Sequence, residues 1–403
     1  MAPAAADSGI GDYYAWRRQS LAVGPRRVEV FTKPGAPGYA EMDFPSLLIA
    51  EHVQAAEGKR VLVANSVSGV GGVGIALLDP SITLTLTDSN VVGVEAAAKT
   101  VAAGKLTARV IASSAGSHLA DDEQFDTIAA RLPKGKIISL RTIWNAFERL
   151  RPNGTFYLAG GNDEGIKTYL KHAAELFGNL TVIDYQKGSR IAVCRKPEAA
   201  TAVPEAFQSE EVTSHDFHRF TTTVRGRELT LCSRPGVFSW DRLDDATAVL
   251  LEKIEIDPDD TVLDLGCGSG AIGMVAASMA SRGSAVLVDV DIDAVDSASA
   301  TVHANGVANA TVRASDALAA VRNQRFTAVL TNPPFHLGKN TDYAMVQAFM
   351  QGAAAVLEPT GRMDLVANKF LPYEKYIATF FGAYEIVHQD NRFKVIRATK
   401  PRV

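Results

Sequence analysis

Residues Thr261–Gly273 read TVLDLGCGSGAIG. An apolar run ending in Asp264 breaks into Gly266, Gly268 and Gly270 and continues into an alanine-rich, helix-prone stretch. That pattern describes a strand turning sharply into a helix, with no Cβ between the backbone and a ligand at the turn. The next apolar run, AVLVDVD, brings a strand to its end near Asp289, where a carboxylate can accept both hydroxyls of a ribose. Asp291 and Asp293 are rivals for that role. Asp316, in RASDAL, falls at the expected end of a third strand, placed to accept from an adenine amino group. Short β-branched runs alternating with alanine-rich stretches mark βα units, so the fold class is α/β with a mainly parallel sheet.

The glycine loop alone leaves the ligand open. Gly266, Gly268 and Ala271 also fit the dinucleotide fingerprint G-x-G-x-x-G/A, which admits a nicotinamide-dependent dehydrogenase. Asp264, two residues before the first glycine, discriminates. An acid there suits the sulfonium and ammonium of S-adenosylmethionine and repels the pyrophosphate of a dinucleotide.

Downstream, AVLTNPPFHLG spans Ala328–Gly338. Proline cannot donate to a sheet ladder and pushes the preceding residue out of the helical region, so the strand begun at Phe326 ends at about Asn332. Asn332, Pro333, Pro334 and Phe335 then stand at a strand's carboxyl end, where open α/β sheets bind ligands. With a methyl donor nearby, this motif has a chemical reading. An exocyclic amine on a base is a poor nucleophile because its lone pair is delocalised into the ring. The Asn332 side-chain oxygen and the Pro333 carbonyl, aimed at its N–H bonds, favour a pyramidal nitrogen through positioning and preorganised dipoles. Phe335 offers a face for stacking a base, and a base inside a duplex must first be flipped out. The same geometry serves adenine N6 or a protein glutamine amide, and both remain open at this point.

The combination DLGCGSG, LVDVD and TNPPFH resembles class I S-adenosylmethionine-dependent methyltransferases that modify planar amino groups. SRPGVFSWDRLDDATAVLL, NPPFHLG, LVANKFLPYEKYIATFFGAYEIV and NRFKVIRATK are similar to ribosomal RNA guanine-N2 methyltransferases of the RsmC/RlmG type, over nearly all of residues 217–403. The resemblance implies two tandem Rossmann-like class I methyltransferase domains, the N-terminal one degenerate. It also implies S-adenosylmethionine as cofactor and a guanine in ribosomal RNA, free or in a ribosomal subunit, as target, with the small subunit favoured. Asn332 to Phe335 would form the amino-group pocket, and Asp264, Gly266, Gly268, Gly270, Asp289, Asp316 and Asn332 the cofactor site. Lys369, Arg392 and Lys394 are candidates for RNA phosphates.

Outward from this half, the chain repeats itself. KRVLVANSVSGVGGVGIALL, TDSN, FDTIAARLPKG and ERLRPNGTFYLAG recur in order about 200 residues before their second-half counterparts. The first copy departs at every chemical position. Val63 stands where Asp264 does, and RLPKG (Arg131–Gly135) replaces the amide and the ring, although Asp88 survives. We expect residues 1–196 to form a degenerate domain that has lost cofactor binding and serves RNA docking or structural support, with Lys134 and Lys136 suited to phosphates. Residues 197–216, polar with two prolines, read as a linker. Residues 217–403 are the catalytic domain, opening with two strands around Gly226 and a helix from about Leu243.

Composition bounds the rest. The 403 residues carry a formal net charge of −4, which excludes a global basic field and leaves only local patches such as Arg17-Arg18 and Arg26-Arg27 for nucleic acid. Cys194, Cys232 and Cys267 are dispersed, which supports neither a disulfide framework nor a metal site. Cys267 is read as a small loop residue, not a nucleophile. No secretory leader or membrane-length apolar run is present, so a cytoplasmic protein is expected, and the duplication suits a monomer.

Overall fold

The computed structural model describes residues 13–36, 38–55, 58–114, 116–199, 202–333 and 343–402. The chain divides into two units: Trp16–Asp216, and Phe217–Val403 joined by the segment that ends at Ala15.

In the first unit, hairpin β1 (Arg17–Val23) and β2 (Arg26–Thr32) precedes β3 (Arg60–Ala64), β4 (Thr83–Asp88), β5 (Ala108–Ala112), β6 (Phe125–Arg131), β7 (Leu150–Gly161), β8 (Thr181–Gln186) and β9 (Ser189–Arg195). In the second, hairpin β10 (His218–Val224) and β11 (Arg227–Ser233) precedes β12 (Thr261–Leu265), β13 (Ser284–Asp289), β14 (Ala310–Ala314), β15 (Phe326–Thr331), β16 (Leu357–Asn368), β17 (Phe381–Gln389) and β18 (Phe393–Pro401). The two seven-stranded sheets have one topology, β5-β4-β3-β6-β7-β9-β8 and β14-β13-β12-β15-β16-β18-β17. The sequence repeat is thus a repeat of fold.

In the second sheet β12 to β16 pair in parallel and β18 runs antiparallel between β16 and β17. Parallel strands covered on both faces read as continuous apolar runs. Accordingly Val262, Ala328 and Leu330 enter one core while Leu263, Leu265 and Val329 enter the other. From β12 the chain moves outward through β13 to β14, then returns to the opposite side of β12 as β15. A crevice opens at the carboxyl ends of strands where the order reverses in this way. Asp264 is in register with Leu330 across β12 and β15. Gly266 and Asn332, each two residues further on, therefore leave the sheet at the same level.

Two expectations are corrected here. Residues 197–216 are no free linker: Phe207 and Val212 are buried in a core of the first unit, held by a 3-10 turn (Glu205–Phe207) and a helical turn (Glu210–Thr213). Two apolar anchors in a polar stretch suffice, and the unit extends to Asp216. The N-terminal limit also moves, because Tyr13 and Tyr14 pack with Ala317, Ala348 and Phe349 of the second unit. The helix expected from about Leu243 is present, running Asp245–Lys253 with Asp244 as its cap. No helix among the described residues is long and apolar enough to cross a membrane.

Next to β15, Asp364 of β16 faces Arg397 of β18 in the antiparallel register. The Arg397 guanidinium donates Nε to Oδ1 at 2.8 Å and Nη2 to Oδ2 at 3.0 Å, a two-pronged pair. Burial still pushes the Asp364 carboxyl above the ordinary range. The first sheet fills the same position with Tyr157 opposite Val193. Removing one member of a buried pair strands the other charge, whereas an apolar pair of fitting volume is tolerated. Arg397→Val is expected to lower stability by about 3–5 kcal/mol in urea unfolding, and Asp364→Leu added to it to restore most of that loss.

Candidate functional site

The loop after β12 carries Gly266 at φ 78° and Gly268 at φ 53°, both left-handed. A Cβ on Gly268 would meet nothing within 4 Å, so the backbone there borders open space. Gly270 differs from the sequence expectation. A Cβ on it would lie 2.8 Å from Ala298 Cβ, so this glycine serves close packing of the helix Ala271–Met279 on the helix Ile292–Ala304.

The acids divide the loop between them. Asp289 ends β13; its Oδ2 accepts from Gly268 N at 2.9 Å and its Oδ1 from Asp291 N at 3.0 Å. Burial holds its carboxyl above the ordinary range, against those backbone donors. Its rivals are otherwise engaged: Asp291 caps the following helix, and Asp293 is buried against Arg234 at 3.3 Å. Asp264 lies within β12, fully buried, rather than in the turn. Its Oδ2 accepts from Gly273 N at 2.7 Å, while its Oδ1 is buried with no hydrogen-bond partner. Desolvation, reinforced by the nearby Asp289 charge, raises its pKa to about 7. An unpartnered buried carboxylate oxygen at a strand's carboxyl end is a place for a cationic or N–H-bearing ligand group.

Asp316 follows β14 and accepts from the Tyr13 hydroxyl at 3.0 Å. Tyr14 OH accepts from Leu318 N at 3.3 Å, and burial pushes its phenol to about 12. Nothing in the sequence near Tyr13 announces this contact.

At the end of β15, Thr331 donates its hydroxyl to Leu265 O at 2.7 Å, tying β15 to β12 just short of the loop. The Asn332 amide donates Nδ2 to Asp244 Oδ2 and to Thr247 Oγ1, each at 3.0 Å. Its Oδ1 is buried and without a hydrogen-bond partner. The sequence reading did not identify Asp244 or Thr247, although LDDATAV carries the helix-start signal of a capping Asp. Pro333 is buried beside Asn332; Pro334 and Phe335 lie outside the described residues. Of the proposed phosphate contacts, Lys369 is exposed and Arg392 is exposed and paired with Asp245 at 2.9 Å. Lys394 is corrected: it is buried and bonded to Glu374 at 2.5 Å, so it does not reach solvent.

The first unit repeats the scaffold with altered chemistry. Asn65 and Val67 occupy the positions of Gly266 and Gly268 and keep their left-handed backbone, at φ 54° and 55°. Asp88 Oδ2 grips Val67 N at 2.7 Å, as Asp289 grips Gly268. Val67 itself is buried, filling space that Gly268 leaves open. At the position of Asn332 stands Arg131, whose guanidinium binds Asp43 at 3.1 Å and Glu164 at 2.6 Å. A guanidinium only donates, so Arg131 offers no acceptor for an amine where Asn332 offers one. Lys134 and Lys136 are exposed.

A model of the methyltransferase small domain matches residues 27–193 and again residues 228–397. The chain belongs to the methyltransferase small-domain family. Within it, this methyltransferase is 33% identical over 281 residues, 69% of the chain and 79% of the relative, to ribosomal RNA small subunit methyltransferase C of Hahella chejuensis. It is 32% identical over 286 residues, 71% of the chain and 79% of the relative, to the protein of the same name from Klebsiella pneumoniae. Among solved structures it is similar to a T. thermophilus 16S rRNA N2 methyltransferase (RsmC) in complex with AdoMet and guanosine. That match has 30% identity and a TM-score of 0.79, covering 97% of this chain and 99% of the other. Among the described residues no group of three His, Cys, Asp or Glu is placed to hold a metal ion.

The Asp264 carboxyl gives this methyltransferase a pH signature. A folded pKa of about 7 lies above the unfolded value of about 3.9. The folded state therefore holds a proton that the unfolded state releases, and stability falls as pH rises from about 4 to 7. Asp264→Asn keeps an acceptor for Gly273 N and removes the titration. The variant's Tm, relative to wild type, is expected to rise across that window and level off above it, measured by thermal melts without ligand.

Proposed function

We propose that this chain transfers a methyl group from S-adenosylmethionine to the exocyclic N2 amine of a guanine in small-subunit ribosomal RNA. The observation that carries the reading is the Asn332 amide, with both N–H bonds engaged behind it and its buried oxygen left without a partner. The small-subunit assignment, over the large-subunit members of the same resemblance, is supported by the relatives named above.

The residues fit the cofactor. When bound, S-adenosylmethionine supplies a methyl group on a positively charged sulfur. Asp264 Oδ1, buried and unpartnered, is assigned to the donor's amino-acid ammonium. Asp289, with one lone pair on each oxygen engaged by the loop, keeps capacity for two ribose hydroxyls. Asp316 is assigned to the adenine amino group, and Gly266 and Gly268 line the approach. The Asn332 oxygen and the Pro333 carbonyl hold the two N–H bonds of the guanine amine, turning its lone pair out of the ring plane toward the donor. The new N–C bond would form as the methyl–sulfur bond breaks and leaves its electron pair on sulfur, with one of those N–H protons released to solvent. Phe335 is assigned to stacking on the flipped base.

The first unit is assigned a non-catalytic role in RNA docking or support, for which Val67 in the loop and Arg131 at the amide position argue. Titration calorimetry of the full chain with S-adenosylhomocysteine should give one equivalent bound, and Gly268→Val should abolish it; residual binding would place a second cofactor in the first unit. Asn332→Ala should lower turnover about 100-fold or more while cofactor affinity stays within about threefold. Mass spectrometric mapping of methylated guanosines in ribosomal RNA, with and without the gene, decides the target. Loss of a methyl group from adenosine, or from a protein glutamine, would overturn the guanine assignment.

A further inference from the structure

An asparagine presents an oxygen or an NH2 group of almost equal size, and only its surroundings choose between them. At Asn332 the choice is made by one helix terminus. Asp244 caps the helix Asp245–Lys253 by accepting Thr247 N at 2.9 Å on Oδ2. That same Oδ2 accepts from Asn332 Nδ2 at 3.0 Å, and the Thr247 hydroxyl takes Nδ2 at 3.0 Å as well. A flipped amide would set its carbonyl oxygen against a carboxylate oxygen and leave its NH2 group facing the substrate. Two donors cannot hold the N–H bonds of an amine. A carboxylate behind the amide nitrogen also polarises the amide, because hydrogen bonds in a chain strengthen one another, and so builds charge on the far oxygen.

The first unit supplies an independent observation. Asp43 holds the same place there, capping the helix Phe44–His52 by accepting Ser46 N at 3.0 Å. It too reaches the residue at the end of the paired strand, which is now Arg131, at 3.1 Å. The helix-cap carboxylate meets the strand end in both halves, and the two differ in what it holds. In one it orients an amide that offers an acceptor outward; in the other it neutralises a guanidinium.

We infer that Asp244, with Thr247, is the positioning residue of the methyl-transfer site, fixing the Asn332 amide with its oxygen toward the substrate amine. The inference rests on the reading of Asn332 given above. Asp244 acts through Asn332.

The test uses the full chain, tritiated S-adenosylmethionine and small ribosomal subunits from cells lacking the gene. Asp244→Ser retains a good helix cap but is too short to reach Asn332, and Asp244→Asn retains an oxygen at the same reach. Asp244→Ser is expected to lower kcat about 10- to 100-fold, with Tm and the Kd for S-adenosylhomocysteine unmoved. Asp244→Asn should recover most of the activity, and Thr247→Val should show a smaller loss in kcat alone. Combined with Asn332→Ala, Asp244→Ser should add no further loss, because both act through one amide. Wild-type kcat in Asp244→Ser, or equal and additive losses in both Asp244 variants accompanied by a lower Tm, would overturn the positioning role. If Asn332→Ala alone keeps full turnover, the amide reading fails and this one with it. An inactive Asn332→Ala beside a fully active Asp244→Ser would sink only the present proposal.

Discussion

Everything at the crevice depends on one hydrogen bond, from a loop amide to the carboxylate at the end of the neighbouring strand. Gly268 N donates to Asp289 in one half and Val67 N donates to Asp88 in the other. The bond closes the turn after the first strand against the second, and it fixes the left-handed backbone on which the turn relies. Val67 shows how strong the constraint is. A β-branched residue strongly disfavours positive φ, yet the first half keeps the conformation with valine in place. The turn is kept where Val67 fills the space that Gly268 leaves open, as expected if it is required for folding and not only for binding.

That persistence separates two kinds of sequence change. Val63 and Arg131 stand where the second half has Asp264 and Asn332, and neither offers the acceptor oxygen. Gain of a side chain at Val67 fills volume. Asp88, by contrast, is retained because its carboxylate is bonded to the backbone at two points. Burial raises its pKa to about 6, so holding this carboxyl in the turn carries an electrostatic cost.

The tandem α/β architecture, the strand ends at Asp289 and Asn332 and the glycine loop were all legible in the sequence, because each depends on neighbours within a few positions. What escaped depends on distance along the chain or on dilution. Asp244 meets Asn332 across 88 positions, a pairing no local pattern encodes. Lys394 looked like a surface cation until Glu374, on another element, met it in the interior. Phe207 and Val212 were masked by the polar residues around them, so a packed tail of the first unit read as linker. Gly270 shared the spacing of its neighbours but answers to a helix–helix contact rather than to a ligand.

The bond from Tyr13 to Asp316 joins groups 303 positions apart in the chain. Translation proceeds at about 5–20 residues per second, so the phenol leaves the ribosome roughly 15–60 seconds before its acceptor does. In that interval the unit Trp16–Asp216 has all of its own strands and can close, while the segment before it has nothing to dock on. The corner where Tyr13 meets Asp316 is consequently among the last parts of the protein to be finished during synthesis. A methyltransferase built this way gains that corner only once its own synthesis is nearly complete.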